Sequence, residues 1–264
     1  MGTLELYGCA AVAVLAMVTL LWMVSVALRD ASIIDVFWGP LFIAIAWVLL
    51  SATVHSAGFK HLLVVFLVTA WGLRLAFHLA ARNFGKGEDV RYRLWRSHGG
   101  ELWWLKTFYR VYLLQGAIAL VVATPIVAAF RVTDAPFLIN WIGLPIWLAG
   151  FFIEATADVQ LTRFRNDPQN LGAVMQDGLW FYTRHPNYFG DALQWWGLGI
   201  LTFSGVTWWS VIGPLAMTLV FLNISNEVIE RGLVKRRPGY AEYVARTNAF
   251  FPGRPVGVAD DTTR

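Results

Sequence analysis

Charged residues are scarce in this sequence. They make up 14% of the 264 residues, whereas a soluble domain carries roughly 25%. Hydrophobic residues make up 57%, and apolar runs recur at about 20 residues, the length that a helix needs to cross a bilayer. This composition excludes an ordinary soluble domain and predicts an all-α, polytopic membrane protein. The net charge of +4 fits the basic bias of cytoplasmic loops, so we expect contact with a lipid membrane and none with nucleic acid.

Cysteine is represented by Cys9 alone, which excludes a disulfide framework and a thiolate metal cluster. The glycine-rich GxGxxG and GxxxxGK[ST] loops are missing, so a nucleotide would be held without a Rossmann or P-loop cradle. The HExxH zinc spacing and the GxSxG nucleophile elbow are missing too. His78 and His185 are far apart in sequence, and no metal site is predicted.

Hydropathy predicts seven transmembrane helices in a single domain that covers residues 1–264. The first apolar segment lacks a basic n-region and is longer than the apolar core of a signal peptide, so we expect it to remain as a span. The predicted spans are approximately 4–28, 33–54, 58–82, 104–130, 136–163, 186–204 and 206–230, followed by a cytoplasmic tail at 231–264.

Lysine and arginine predict the orientation, because cytoplasmic loops are enriched in them. With the N-terminus outside and the C-terminus in the cytoplasm, 17 of the 21 basic residues lie on the inner side. We therefore predict a protein of the cell inner (cytoplasmic) membrane with a site that faces the cytoplasm. The inner residues are Arg29, Arg82, Lys86, Arg91, Arg93, Arg96, Lys106, Arg163, Arg165, Arg184, Arg231, Lys235, Arg236, Arg237, Arg246, Arg254 and Arg264.

Polar side chains cluster at the inner ends of the predicted spans. His78 and Arg82 are four residues apart, as are Glu154 and Asp158, and this spacing places each pair on one helix face. Because lone charges in hydrocarbon cost several kcal/mol, these groups should face one another or a watery chamber that opens to the cytosol. Two simpler readings stay open. Charges at span ends can extend to the lipid headgroups, and Asp35 can cap the start of span two.

Several segments are similar to known membrane enzymes. TRHPNYFGD at 183–191 and RPGYAEYVARTNAFFP at 237–252 resemble the C-terminal module of the steroid 5α-reductase family, although membrane methyltransferases carry a similar RHPxYxG motif. SIIDVFWG at 32–39, WGLRLAFHLAARNFGKGEDVRY at 71–92 and the segment 158–165 favour the reductases. Together these segments resemble the bacterial branch of the steroid 5α-reductase family.

This resemblance implies NADPH as the cofactor, bound by carboxylates, amides, aromatic rings and arginines near the inner ends of the spans. Asp191 stands where the family has a longer glutamate. The implied cofactor-binding residues are Arg82, Glu154, Asp158, Arg165, Tyr182, Arg184, His185, Asn187, Tyr188, Asp191, Asn226, Glu230, Arg236 and Arg237.

The resemblance also implies reduction of the C4–C5 double bond of a 3-oxo-Δ4 steroid or a similar apolar enone. The catalytic acid that contacts the ketone would be Asp35, and its partner would be His78, where the family has an aromatic hydroxyl. Trp38, Gln115 and Trp195 would contact the substrate, which would enter a monomeric enzyme from the bilayer.

Two other classes of protein remain open at this point. A membrane methyltransferase of the isoprenylcysteine or phospholipid type would use S-adenosylmethionine and similar arginine and carboxylate side chains. A transporter should show inverted repeats and broken helices at mid-bilayer, and the sequence shows neither.

Overall fold

The computed structural model describes residues 1–83, 85–98, 100, 102–131, 138–223, 232–234 and 237–256. Within these ranges the regular elements are helices, and no strand occurs, which confirms the predicted all-α class. The chain divides into two compact units. Unit 1 comprises Met1–Trp141 and Gly199–Gly213, and unit 2 comprises Ile142–Leu198 and Pro214–Arg264.

Unit 1 begins with a long apolar helix that is followed by shorter ones. Its helices are α1 Thr3–Leu28, α2 Ile33–Val36, α3 Trp38–Ala52, α4 Phe59–Asn83, α5 Val90–Ser97, α6 Trp103–Thr107, α7 Leu114–Val122 and α8 Thr124–Arg131. Between α6 and α7 the chain continues as a π-helical turn, Phe108–Leu113.

Four helical stretches are long and apolar enough to cross a membrane: Thr3–Leu28, Phe59–Asn83, Trp103–Val122 and Leu138–Asn166. They coincide with four of the predicted spans. Trp38–Ala52 and Trp208–Asn223 are shorter apolar helices. The protein therefore has the helices of an integral membrane protein, while the count of seven spans stays a prediction.

Two of the predicted spans are interrupted. The span at 33–54 is interrupted at Phe37, which separates α2 from α3. The span at 104–130 breaks at Ala123, and α8 then starts with Pro125 in its first turn, where the missing N–H of proline costs least. The Thr124 hydroxyl accepts a hydrogen bond from the Gly213 N–H at 2.7 Å, which joins this helix start to the 199–213 segment of unit 1.

Glycine allows close packing of α3 and α4 in unit 1. A Cβ atom added to Gly72 would lie 2.9 Å from the Gly39 carbonyl oxygen, too close for any side chain at that point. Small residues at such helix contacts are typical of membrane proteins. Lipid is as apolar as the helices, so the helices associate through close van der Waals packing of their backbones.

Unit 2 contains α9, the helices on either side of the 183–191 motif, and part of the tail. Its helices are α9 Gly143–Asn166, α10 Leu179–Tyr182, most of α11 Pro186–Leu201, most of α12 Ile212–Asn223 and α13 Tyr240–Arg246. Residues 199–213, which join α11 to α12, belong to unit 1.

Glycines also hold α9 against α11. A Cβ atom on Gly150 would lie 2.5 Å from the Gly190 carbonyl oxygen, and one on Gly197 would lie 2.6 Å from the Gly143 carbonyl oxygen. A Cβ atom on Gly190 would lie 2.6 Å from the backbone nitrogen of Glu154. The two helix backbones therefore run close together over about two turns.

The Gly150→Ala substitution should destabilise the protein, because the added methyl group meets backbone atoms that cannot move aside. Overpacking of this kind costs about 1–3 kcal/mol, so the midpoint of thermal unfolding in detergent should fall. Gly8→Ala is the matched control, since a Cβ atom there meets nothing within 4 Å. An equal midpoint for both variants would contradict the close approach of α9 and α11.

Candidate active site

Two buried carboxylates on α9 face amide side chains of α11 in unit 2. Glu154 is 3% exposed and Asp158 is 5% exposed, and they lie one turn apart, as predicted. Gln194 Nε2 donates to Glu154 Oε2 at 2.7 Å, and Asn187 Nδ2 donates to Asp158 Oδ1 at 3.2 Å. Because glycines let the α9 and α11 backbones approach closely, these amide and carboxylate side chains can reach one another.

The face of α11 that carries Asn187 continues with Asp191 and Trp195, each four residues further along. Asp191 is 5% exposed and Trp195 is 1% exposed. The structure thus aligns these three predicted site residues along one side of a helix. The amide oxygen of Asn187 is buried and accepts no hydrogen bond from the described residues, so it can accept one from a ligand.

An aromatic stack lies beside this helix start. The Tyr188 ring lies parallel to the His185 ring, at 5.3 Å between centroids and 5° between planes, and to the Phe221 ring, at 4.8 Å and 9°. His185 and Tyr188 belong to the predicted cofactor set, whereas Phe221 on α12 had no sequence motif to mark it. The Tyr188 ring is therefore stacked against two neighbouring rings, which fixes its orientation beside Asn187.

The predicted arginines occupy different settings. Arg165 is exposed at the end of α9. Arg184 is buried, and its Nη1 donates to the carbonyl oxygens of Val244 and Thr247. Arg237 donates to the Ala173 carbonyl oxygen. These three bonds fasten the tail and the 167–178 loop within unit 2, and a role of Arg184 or Arg237 toward a cofactor stays a prediction.

Of the other predicted cofactor-binding residues in this part of the chain, the structure describes Tyr182 and leaves three outside the described ranges. Tyr182 is exposed, and its carbonyl oxygen accepts from the Gly253 N–H at 2.9 Å. Asn226, Glu230 and Arg236 lie outside the described residues.

A second cluster surrounds Asp35 in unit 1. The Tyr92 hydroxyl donates to Asp35 Oδ1 at 2.8 Å, and Arg91 Nη2 lies 2.9 Å from Asp35 Oδ2. Gln115 Nε2 lies 3.5 Å from Asp35 Oδ1 and 3.4 Å from the Tyr92 hydroxyl. The structure thus brings the predicted catalytic Asp35 together with the predicted substrate residue Gln115. It adds a phenol and a guanidinium that the sequence analysis had not assigned to the site.

The segment before α5 holds Tyr92 in this position. Glu88 Oε1 accepts from the Ala31 N–H at 3.1 Å, and Glu88 Oε2 lies 2.8 Å from Arg96 Nη2. The Asp89 N–H donates to the Ser32 hydroxyl at 3.2 Å. This segment is therefore tied to the turn between α1 and α2, next to Asp35.

Asp89 also caps α5, because its side chain accepts from the Arg91 N–H at 2.9 Å. Burial on its own raises the pKa of Asp89, but hydrogen bonds from the Arg91 side chain and backbone outweigh it and hold that pKa below its usual value. Burial, and then the neighbouring Asp35 carboxylate, raise the pKa of Tyr92. The phenol therefore keeps its proton at neutral pH.

The other predicted residues of unit 1 lie on α3 and α4. Trp38 opens α3 and packs edge-on against Phe42, at 5.2 Å between ring centroids. His78 is half-buried on α4, and Arg82 is exposed one turn further along. The phenol beside Asp35 comes from Tyr92, the last residue of the 71–92 segment, rather than from the position of His78.

A family described as "Protein of unknown function (DUF1295)" matches residues 21–247 of the chain. The chain belongs to this family. Its predicted resemblance to the steroid 5α-reductases is confirmed by curated relatives. Steroid 5-alpha-reductase DET2 of Arabidopsis thaliana is 30% identical over 120 residues, which is 43% of this chain and 40% of the relative.

Two primate relatives have nearly the same sequence identity to this chain as the plant enzyme. 3-oxo-5-alpha-steroid 4-dehydrogenase 1 is 31% identical over 99 residues in Macaca fascicularis and 30% identical over 99 residues in Homo sapiens. Each match covers 38% of this chain, and 34% and 35% of the two relatives respectively. The chain thus spans two fifths or less of the length of the relatives named here. No solved structure matches it.

The Glu88→Gln substitution should loosen α5, because Glu88 is largely buried and would lose its charge-assisted bond to Arg96. Such bonds contribute about 1.5–3 kcal/mol, so we expect trypsin to cleave the 88–96 segment about tenfold faster under native conditions. Glu242→Gln, at an exposed position of α13, should leave the rate unchanged. Equal cleavage of Glu88→Gln and the unmodified chain would show that this ion pair does not hold the segment.

Proposed function

We propose that the chain is an NADPH-dependent reductase of the C4–C5 double bond of a 3-oxo-Δ4 steroid or a similar apolar enone. The observation that supports this most directly is the Asp35–Tyr92–Gln115 cluster, which offers hydrogen-bond donors to a ketone oxygen. The names of the relatives support the reaction class, and they do not favour the methyltransferase alternative. Bound NADPH supplies the hydride that side chains cannot provide.

Reduction of an enone places negative charge on the ketone oxygen, and catalysis needs a donor positioned there. The Tyr92 phenol keeps its proton, and the Asp35 carboxylate orients it at 2.8 Å. Since Asp35 accepts hydrogen bonds on both carboxylate oxygens, Tyr92 is the better donor. We therefore assign proton donation to Tyr92 and orientation to Asp35. Because the phenol has a single proton, the Tyr92 O–H turns from Asp35 Oδ1 to the ketone oxygen when the substrate binds. His78 remains a candidate for resupplying the proton.

The residues of unit 2 fit a dinucleotide. The Asn187 amide oxygen is an acceptor for a carboxamide N–H. The next residue, Tyr188, belongs to the aromatic stack with His185 and Phe221. Glu154, Asp158 and Asp191 are carboxylates suited to ribose hydroxyls. Exposed Arg165 is suited to a phosphate, and a second charged phosphate on the ribose distinguishes NADPH from NADH.

Seven spans complete the proposal, with the N-terminus outside, the C-terminus in the cytoplasm, and the site facing the cytoplasm of the cell inner membrane. The basic residues support this orientation. The apolar substrate would reach a monomeric, single-domain enzyme from the bilayer.

Tyr92→Phe should lower turnover of a 4-ene-3-ketone by about 100-fold or more, the usual cost of removing one donor from a developing oxyanion. Asp35→Ala should also lower turnover, while both variants bind NADPH within about twofold of the unmodified chain, well under the tenfold that 1.4 kcal/mol represents. The assay follows the loss of NADPH absorbance, with binding measured separately. Tyr109→Phe, at an exposed position, serves as the control. Full turnover by Tyr92→Phe would remove this residue from the mechanism.

Arg165→Ala should raise the dissociation constant of NADPH about tenfold, as expected from the loss of a charge-assisted hydrogen bond. The dissociation constant of NADH should change much less. Arg131→Ala removes a basic residue that we predict to lie on the opposite side of the membrane, and it should change neither constant. Equal losses for both dinucleotides would show that Arg165 does not contact the 2′-phosphate.

A further inference from the structure

A separate cavity of about 500 Å³ lies in unit 1. Its wall includes Trp95 on α5, Trp103 and Lys106 on α6, and Arg110 in the π-helical turn. The volume is within the range of about 300–1,000 Å³ that is usual for small-molecule sites. None of these residues belongs to the proposed catalytic or cofactor-binding sets.

Basic side chains give this cavity its charge. Lys106 and Arg110 are four residues apart and both line it. In the same wall, His98 Nδ1 lies 2.8 Å from the Leu94 carbonyl oxygen, so Nδ1 carries the proton that it donates there, and Nε2 of the neutral ring is an acceptor rather than a donor to an anion. The lining residues that the structure describes include neither Asp nor Glu. The lysine and arginine side chains are suited to an anion.

One lining residue has an unmet hydrogen bond. Trp103 is 8% exposed, and its buried indole N–H has no acceptor among the residues that the structure describes. Buried donors are nearly always paired, so an unpaired one calls for an explanation. An anionic oxygen in the cavity would supply the acceptor. The π-helical turn at Phe108–Leu113 is a second irregularity here, and π turns occur frequently at functional sites.

The position of the cavity indicates where its ligand comes from. Its residues on α6 and the π turn fall within the first nine positions of Trp103–Val122, a stretch apolar enough to cross a membrane. The end of a span lies at headgroup depth, where tryptophan is enriched and basic residues attract acidic lipids. Val111 adds apolar surface beside the cations.

We propose that this cavity binds the phosphodiester headgroup of an anionic phospholipid. The phosphate lies against Lys106 and Arg110, and the Trp103 indole N–H donates to one of its oxygens. The same oxygen chemistry is found in free phosphate and in phosphorylated metabolites, so the test must separate these sources. The proposal does not depend on the reductase activity.

The test is titration of the delipidated full-length chain in a neutral detergent with short-chain phosphatidylglycerol, and separately with short-chain phosphatidylcholine. We expect phosphatidylglycerol to bind at least about tenfold more tightly, since about 1 kcal/mol per basic residue favours an anionic lipid. The double variant Lys106→Gln/Arg110→Gln should lose that preference. Trp103→Phe, which removes only the N–H donor and part of the ring, should weaken phosphatidylglycerol binding several-fold.

The control is Lys86→Gln/Arg93→Gln, which makes the same change in net charge at exposed positions outside the cavity. It should bind phosphatidylglycerol like the unmodified chain. Unchanged lipid preference in the Lys106/Arg110 variant would overturn the proposal. Displacement of phosphatidylglycerol by inorganic phosphate or by NADPH at matched phosphate concentration would also overturn it, because the cavity would then belong to a soluble phosphate.

Discussion

A carboxylate inside an apolar helix bundle needs hydrogen-bond donors within reach, because an unpaired buried charge costs several kcal/mol. This requirement shapes both units. In unit 1, Arg91 and Tyr92 of α5 contact the Asp35 carboxylate, and the segment before α5 is tied down next to it. In unit 2, Glu154 and Asp158 are paired with amides of α11. The candidate site residues therefore lie together because each of these carboxylates needs hydrogen-bond donors from a neighbouring helix.

Glycine makes the second of these pairings possible. Asn and Gln side chains are short, so they bridge two helices only where the backbones approach closely. Gly150 and Gly190 bring α9 and α11 together at the level of Glu154, and the amide donors then meet the carboxylates directly. Larger residues would separate the helices and leave the carboxylates without donors. The packing of small residues and the polar chemistry of unit 2 therefore depend on each other.

The periodicity of the sequence predicted the features that depend on neighbouring residues, namely helix faces and the long helices. The four-residue spacing of Glu154 and Asp158 placed them on one helix face, and the apolar runs marked the long helices. The role of Tyr92 was not predicted, because it depends on contacts between residues 57 positions apart in the chain. Hydropathy also could not show the breaks at Phe37 and Ala123, since apolar residues continue through both of them.

The short helix α5 connects two properties of unit 1. Its eight residues carry Tyr92, which contacts Asp35, and Trp95, which lines the basic cavity. The two rings pack edge to face, with centroids 5.5 Å apart. The proposed lipid site and the proposed catalytic cluster are therefore one ring contact apart on α5, and a donor must be held within a fraction of an ångström to stabilise a developing charge.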